Sequence, residues 1–182
     1  MEELSQIIRG CIRNDRISQE KLYKQFYVSL FYLCRKFFHQ DHEAVEALND
    51  GMLKVFSNIH TYREDKGKFF NWIYTIVRNA ALDKLKKSVM QPLPLQPGTQ
   101  AEETDFADAS YNPLQVMEQK DTYRLLDSLS PSTRVVCSLF YLEGYSIKDI
   151  AEQLEIAAGT VKWHLSEGRK KLLPLFEKHL ND

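Results

Sequence analysis

Three acidic residues, Glu43, Glu46 and Asp50, stand at i, i+3 and i+7 in the stretch EAVEALNDGMLKVFSNI. On a helix that spacing sets them along one face. Paired carboxylates can serve general acid–base catalysis, but no pocket signature or partnering base accompanies these, so the sequence predicts an acidic surface instead. His39 and His42 in HQDH could share a helix face, yet no cysteine or further histidine is arranged with them to complete a zinc site. Neither a GxSxG elbow nor a phosphate-binding glycine loop is present. Cys11, Cys34 and Cys137 are too few and too scattered for a disulfide framework or a CxxC motif, which suits a reducing compartment. The expectation is a protein that is not an enzyme and takes no metal, cofactor or small-molecule substrate.

A second group suits nucleic acid. Tyr62, Arg63, Lys66 and Lys68 are followed by Phe69, Phe70, Trp72 and Tyr74, then by Arg78, Asn79, Lys84, Lys86 and Lys87. Aromatic rings can stack on unpaired bases while interleaved cations follow the phosphates, each stacked base contributing about 1–3 kcal/mol. Ile73, Ile76, Val77 and Ala80 read as core, and Trp72 fits either role. A third group lies near the C-terminal end, in AAGTVKWHLSEGRKKLL. At roughly 100° per residue, Val161, Leu165, Gly168 and Leu172 cluster on one side, and Lys162, Trp163, Ser166 and Lys170 fall on the other. Trp163 can then lie flat on a neighbouring helix or face a DNA groove, with lysines neutralising phosphates beside it.

Helices must carry all three groups. Apolar residues recur at helical spacing in Leu4, Ile7, Ile8 and Cys11, in Leu22, Phe26, Leu30, Leu33 and Phe37, and in Val45, Leu48, Met52, Val55, Phe56 and Ile59. That predicts three helices before His60. A fourth covers FFNWIYTIVRNAALDKLKK, which holds no glycine or proline. Four more are predicted over about 114–128, 131–142, 146–154 and 158–172. Ser130 before Pro131 and Ser146 serve as N-caps, with Gly144 as the break between them. No strand is predicted, so the fold class is all-α.

Charge divides the chain. Residues 1–87 hold 15 Lys/Arg against 11 Asp/Glu, residues 88–120 hold 1 against 5, and residues 121–182 hold 8 against 9. The net charge of −1 therefore conceals a basic front. SVMQPLPLQPGTQAEETDFADASYNP has four of the six prolines and no Lys or Arg, so it reads as an acidic linker. Two small helical domains are expected over 1–88 and 114–182, joined by a flexible linker over 89–113. No run approaches the roughly 20 apolar residues of a membrane span, and MEELSQIIRG lacks the form of a signal peptide. A cytoplasmic protein without membrane insertion is expected.

The quoted segments carry a resemblance. LSPSTRVV, YLEGYSIKDIAEQL and GTVK, within residues 125–173, resemble region 4 of the extracytoplasmic-function sigma factors of bacterial RNA polymerase. LYKQFYVSLFYLCRKFF, EAVEALNDGMLKVFSNI and KFFNWIYTIVRNAALDKLKK, in that order, resemble regions 2.1 to 2.4 of the same family. The resemblance implies a sigma region 2 bundle and a sigma region 4 helix-turn-helix. It assigns core polymerase binding to Glu46, Asn49 and Asp50. Binding and melting of the −10 element fall to Tyr62, Arg63, Lys66, Lys68, Phe69, Trp72, Arg78, Asn79, Lys84, Lys86 and Lys87. Recognition of the −35 element falls to Thr160, Lys162, Trp163, His164, Ser166, Glu167, Arg169 and Lys170. The implied partners are core RNA polymerase, promoter DNA and an anti-sigma factor, and the linker would thread the polymerase channel or act as a tether. Three positions depart from the family pattern: Asn49 where glutamine is usual, Glu155 where the turn commonly has glycine, and Ala157 where it commonly has a capping serine. The helix-turn-helix alone is also similar to that of LuxR-type regulators, which act without core polymerase. Those usually begin with an α/β domain, and no βαβ alternation is present here. A helical scaffold whose basic patches bind only protein is the third reading.

Overall fold

The N-terminal helices form because each closes an apolar stripe on its neighbour. In the computed structural model, which describes residues 2–88 and 119–181, α1 spans Glu2–Ile12, α2 Arg16–Arg35, α3 Asp41–Asn58 and α4 Phe69–Ser88. Asp15 caps α2, accepting from the Ser18 N–H at 2.9 Å. Leu22, Leu30, Leu33, Leu48, Val55, Ile73 and Val77 are fully buried and make the core of this part. Two short 3₁₀ turns, Ile59–Thr61 and Glu64–Lys66, connect α3 to α4.

The C-terminal part holds α5 (Gln119–Asp127), α6 (Pro131–Cys137), α7 (Ile147–Leu154) and α8 (Ala158–Asn181). Both expected N-caps occupy their positions: Ser130 precedes Pro131, and Ser146 with Asp149 forms a reciprocal capping box. Gly144 makes the break after α6 with φ +73°. The described residues are helical or irregular, with no strand, so the all-α reading holds. The chain divides into two compact units, Met1–Leu85 and Lys86–Asp182. The acidic linker expected over 89–113, and the start of the helix expected near 114, lie outside the described residues. No helix among them is long and apolar enough to cross a membrane.

Two elements differ from expectation. The stretch expected as one helix over 131–142 is α-helical only to Cys137 and continues as a π turn over Ser138–Leu142. The Glu143 N–H reaches back five residues to the Ser138 carbonyl at 3.1 Å, and Ser138 and Leu139 both stay buried in this wider turn. Helix α8 runs past residue 172 and through Pro174. Proline cannot donate the backbone bond at that point, but buried Leu172 and Phe176, four residues apart, carry the apolar stripe one turn further.

Glu155 closes α7 in the left-handed region at φ 58°, ψ 40°, a conformation that favours glycine. The turn keeps its geometry because the Glu155 and Ile156 N–H groups still bond back to the Glu152 and Ala151 carbonyls at 3.3 and 3.0 Å. A non-glycine residue there costs about 1–2 kcal/mol, which those bonds and the packed apolar faces of α7 and α8 offset.

Helix α8 rests closely on α6. A Cβ added at Gly168 would fall 2.3 Å from the Cys137 sulfur and 3.3 Å from a Thr133 methyl. Gly168→Ala is therefore expected to destabilise the C-terminal unit by about 1–3 kcal/mol. Adding Cys137→Ala should recover part of that loss, measured by urea unfolding of the two variants against each single change.

Candidate nucleic-acid and protein-binding surfaces

On α3, Glu46, Asn49 and Asp50 are all exposed, and Leu53, one turn on, is 68% exposed. The helix is turned this way because Ala44, Ala47, Leu48 and Gly51 face the core. Glu43 leaves the acidic row: it is half-buried, and its carboxylate accepts from the Gln40 N–H at 3.4 Å at the start of the helix. Asn49 is held from α2, where the Tyr23 hydroxyl donates to its Oδ1 at 2.8 Å.

Lys84 was expected with the DNA-binding cations but lies elsewhere. Its Nζ sits 2.8 Å from Glu46 Oε2 and 3.4 Å from Asp50 Oδ2, so α4 delivers it to the acidic row. The Glu46 bond raises the Lys84 pKa, and Lys84 in turn lowers that of Glu46. One position earlier on α4, Asp83 pairs with Lys54 of α3 at 3.0 Å.

The loop between α3 and α4 presents Arg63, Lys66 and Lys68 to solvent. Tyr62 and Trp72 are half-buried at its base. Phe69 corrects the expectation of a base-stacking ring: it is only 4% exposed, edge-on to Tyr62 at 4.9 Å and 5.6 Å from Trp72. Phe26 of α2 covers it on another side at 5.9 Å. The phenol of Tyr62 stays protonated over a wider range than usual, first through burial and then through the nearby Glu64 charge. Further along α4, Arg78 is half-buried and donates to Asn79 Oδ1 at 3.5 Å, while Asn79 is exposed. Lys86 and Lys87 lie in the last turn of the same helix.

In the C-terminal unit, α7 and α8 make the helix-turn-helix. Lys162, Arg169 and Lys170 are exposed on α8, while Thr160, Trp163, Ser166 and Glu167 are half-buried. Lys170 reaches back to Glu167 at 3.5 Å. Trp163 is off the apolar stripe, as its phase predicts, with its ring edge-to-face against His164 at 4.9 Å.

His164 is the second correction among expected contact residues. It is 2% exposed and belongs to the buried face with Val161, Leu165 and Gly168. Its Nδ1 lies 3.0 Å from the Thr133 hydroxyl of α6, which itself accepts from Ser130 at 2.9 Å. With one proton on each hydroxyl, Ser130 donates to Thr133 and Thr133 donates to the neutral ring. Residues that the sequence reading passed over are Thr133 and Arg134. Arg134 is wholly buried and ion-paired with Asp127, tying the end of α5 to α6.

Burial holds the His164 pKa below its ordinary 6.5. The unfolded chain therefore takes up this proton at a higher pH than the folded one. Its contribution to stability is complete above about pH 6.5 and is lost as pH falls from there through the folded pKa. Unfolding midpoints measured between pH 7.5 and 5 should fall on the acid side in the natural chain, and His164→Gln should flatten that slope.

Residues 22–89 match the family described as Sigma-70 region 2, and residues 119–172 match Sigma-70, region 4. The chain is 27% identical over 172 residues to the ECF RNA polymerase sigma factor SigM of Mycobacterium tuberculosis, covering 94% of this chain and 83% of that one. It is 27% identical over 173 residues to SigE of Mycolicibacterium smegmatis, covering 91% and 64%. It is 21% identical over 164 residues to SigM of Bacillus subtilis, covering 90% and 98%. A solved structure of CnrH in complex with the cytosolic domain of CnrY aligns over 94% of this chain and 96% of that one, at 16% identity and a TM-score of 0.45.

Proposed function

The chain belongs to the extracytoplasmic-function group of the sigma-70 family, and from that premise we propose that it binds core RNA polymerase, directs it to promoters through −10 and −35 elements, and assists melting. The polymerase performs the phosphoryl transfer. The proposed setting is the cytoplasm, and an anti-sigma protein is the further partner that the family implies.

The observation that carries this reading is the separation of charge within the N-terminal unit. Glu46, Asn49 and Asp50 project from α3, whereas Arg63, Lys66 and Lys68 project from the loop ahead of α4. A basic protein surface and a DNA strand can then be held by different side chains. Phosphates along the strand would meet the loop cations, an interaction weakened by added salt. A melted base would find Trp72, a half-buried ring at the loop base, whereas Phe69 belongs to the core. Base extraction costs a few kcal/mol, and stacking of the kind described above is of the same order.

In the C-terminal unit, Lys162, Arg169 and Lys170 are placed to neutralise phosphates, leaving Thr160, Trp163, Ser166 and Glu167 for base edges. His164 has the role of orienting the helix from beneath.

The test is transcription by sigma-free core polymerase on a promoter library with the purified protein added. Sequence-specific initiation dependent on the protein is expected. No stimulation, together with specific duplex binding by the protein alone, would instead favour a LuxR-like regulator.

A further inference from the structure

The loop ahead of α4 is closed by one side chain. The Tyr62 hydroxyl donates to the Gly67 carbonyl at 3.0 Å, while the Tyr62 ring is seated on Phe69 at 4.9 Å and Trp72 at 5.6 Å. Inside this closure the chain makes a 3₁₀ turn, with the Lys66 N–H bonded to the Arg63 carbonyl at 3.1 Å and the Gly67 N–H to the Glu64 carbonyl at 3.3 Å.

Gly67 is an independent observation pointing the same way. Its φ of 135° and ψ of 176° lie in a region essentially reserved for glycine. A Cβ built there would meet nothing within 4 Å, so space is not what requires glycine. The requirement is conformational: this backbone angle is the one in which the carbonyl meets the phenol.

We propose that Tyr62 is a positioning residue, whose hydroxyl clasps Gly67 and holds the loop ready for a DNA strand before any strand arrives. The proposal rests on the function proposed above and deepens it by moving Tyr62 from the contacts to their support. Arg63, Lys66 and Lys68 are exposed around the closed turn and are left to meet phosphates. An unclasped loop would have to be ordered on binding, which lowers affinity without removing any contact.

The experiment uses full-length protein assembled with sigma-free core polymerase, and as probe a random single-stranded DNA pool enriched on the natural holoenzyme. Tyr62→Phe keeps the ring and removes the clasp, and Gly67→Ala keeps the hydroxyl and opposes the required backbone. Each should lower affinity roughly two- to tenfold, the range of one hydrogen bond. The salt dependence should be unchanged because the cations remain. The double variant should be no weaker than the weaker single. In the free protein, amide exchange at positions 66 and 67, measured by NMR, should quicken in both variants.

Unchanged exchange in Tyr62→Phe with reduced affinity would overturn the proposal and make the hydroxyl a direct DNA contact. Faster exchange with unchanged affinity would overturn it from the other side, because loop order would then not matter. If the natural holoenzyme enriches no strand, the function itself fails and the DNA-binding part of this proposal falls with it, while exchange still reports on the clasp.

Discussion

The backbones of α3 and α4 meet at Gly51, where an added Cβ would lie 2.8 Å from the Val77 Cα. No other residue type fits between helices that close. This contact fixes the rotation of α4, and the rest of the N-terminal surface follows. With Ile73, Val77 and Ala81 turned inward and fully buried, Lys84 arrives beside Glu46 and Asp50, and Trp72 arrives beside Tyr62. The same device recurs at Gly168, which brings α8 against Cys137 and thereby sets which side chains α8 shows to solvent. Small residues at two crossings thus determine where the charges stand, although neither carries a charge itself.

Charge then does local work that its near-zero total hides. The ion pairs of Lys84 and Lys54 are surface pairs, and such pairs stabilise a fold little. Their significance is positional. Lys84 holds two carboxylates in known places, and Asn49 is fixed in turn by Tyr23. The loop cations Arg63, Lys66 and Lys68 are exposed and project from a turn closed by Tyr62.

Most of the helices were legible because burying one face imposes a period on the sequence, and each of the first four stripes sits where its spacing placed it. The anomaly at Glu155 was legible through the family resemblance, whose turn commonly has glycine there, and the left-handed φ of 58° matches it. What escaped was identity at the margin of a stripe. His164 flanks the stripe on the wheel, three residues after Val161 and four before Gly168, and whether a polar ring goes in depends on a hydroxyl at Thr133, 31 positions away. Phe69 looked like an exposed ring in a basic stretch until Phe26 of another helix covered it. Lys84 looked like one cation in a run, and only the crossing at Gly51 sends it to α3. Arg134 sits in a short apolar run and gives no local sign that Asp127 will neutralise it in the interior. The length of α8 was missed because Pro174 ordinarily ends a helix, whereas Phe176 supplies packing beyond it.

Under the proposed function, α3 meets polymerase and the loop ahead of α4 meets DNA. Site-specific photocrosslinking from positions 53 and 66 in a complex of the protein, core polymerase and promoter DNA tests it most directly. Leu53 and Lys66 are both exposed, so a photoreactive residue fits at either position. The prediction is that position 53 links to polymerase and position 66 to DNA. Crosslinks exchanged between the two, or position 66 linking only to polymerase, would contradict it.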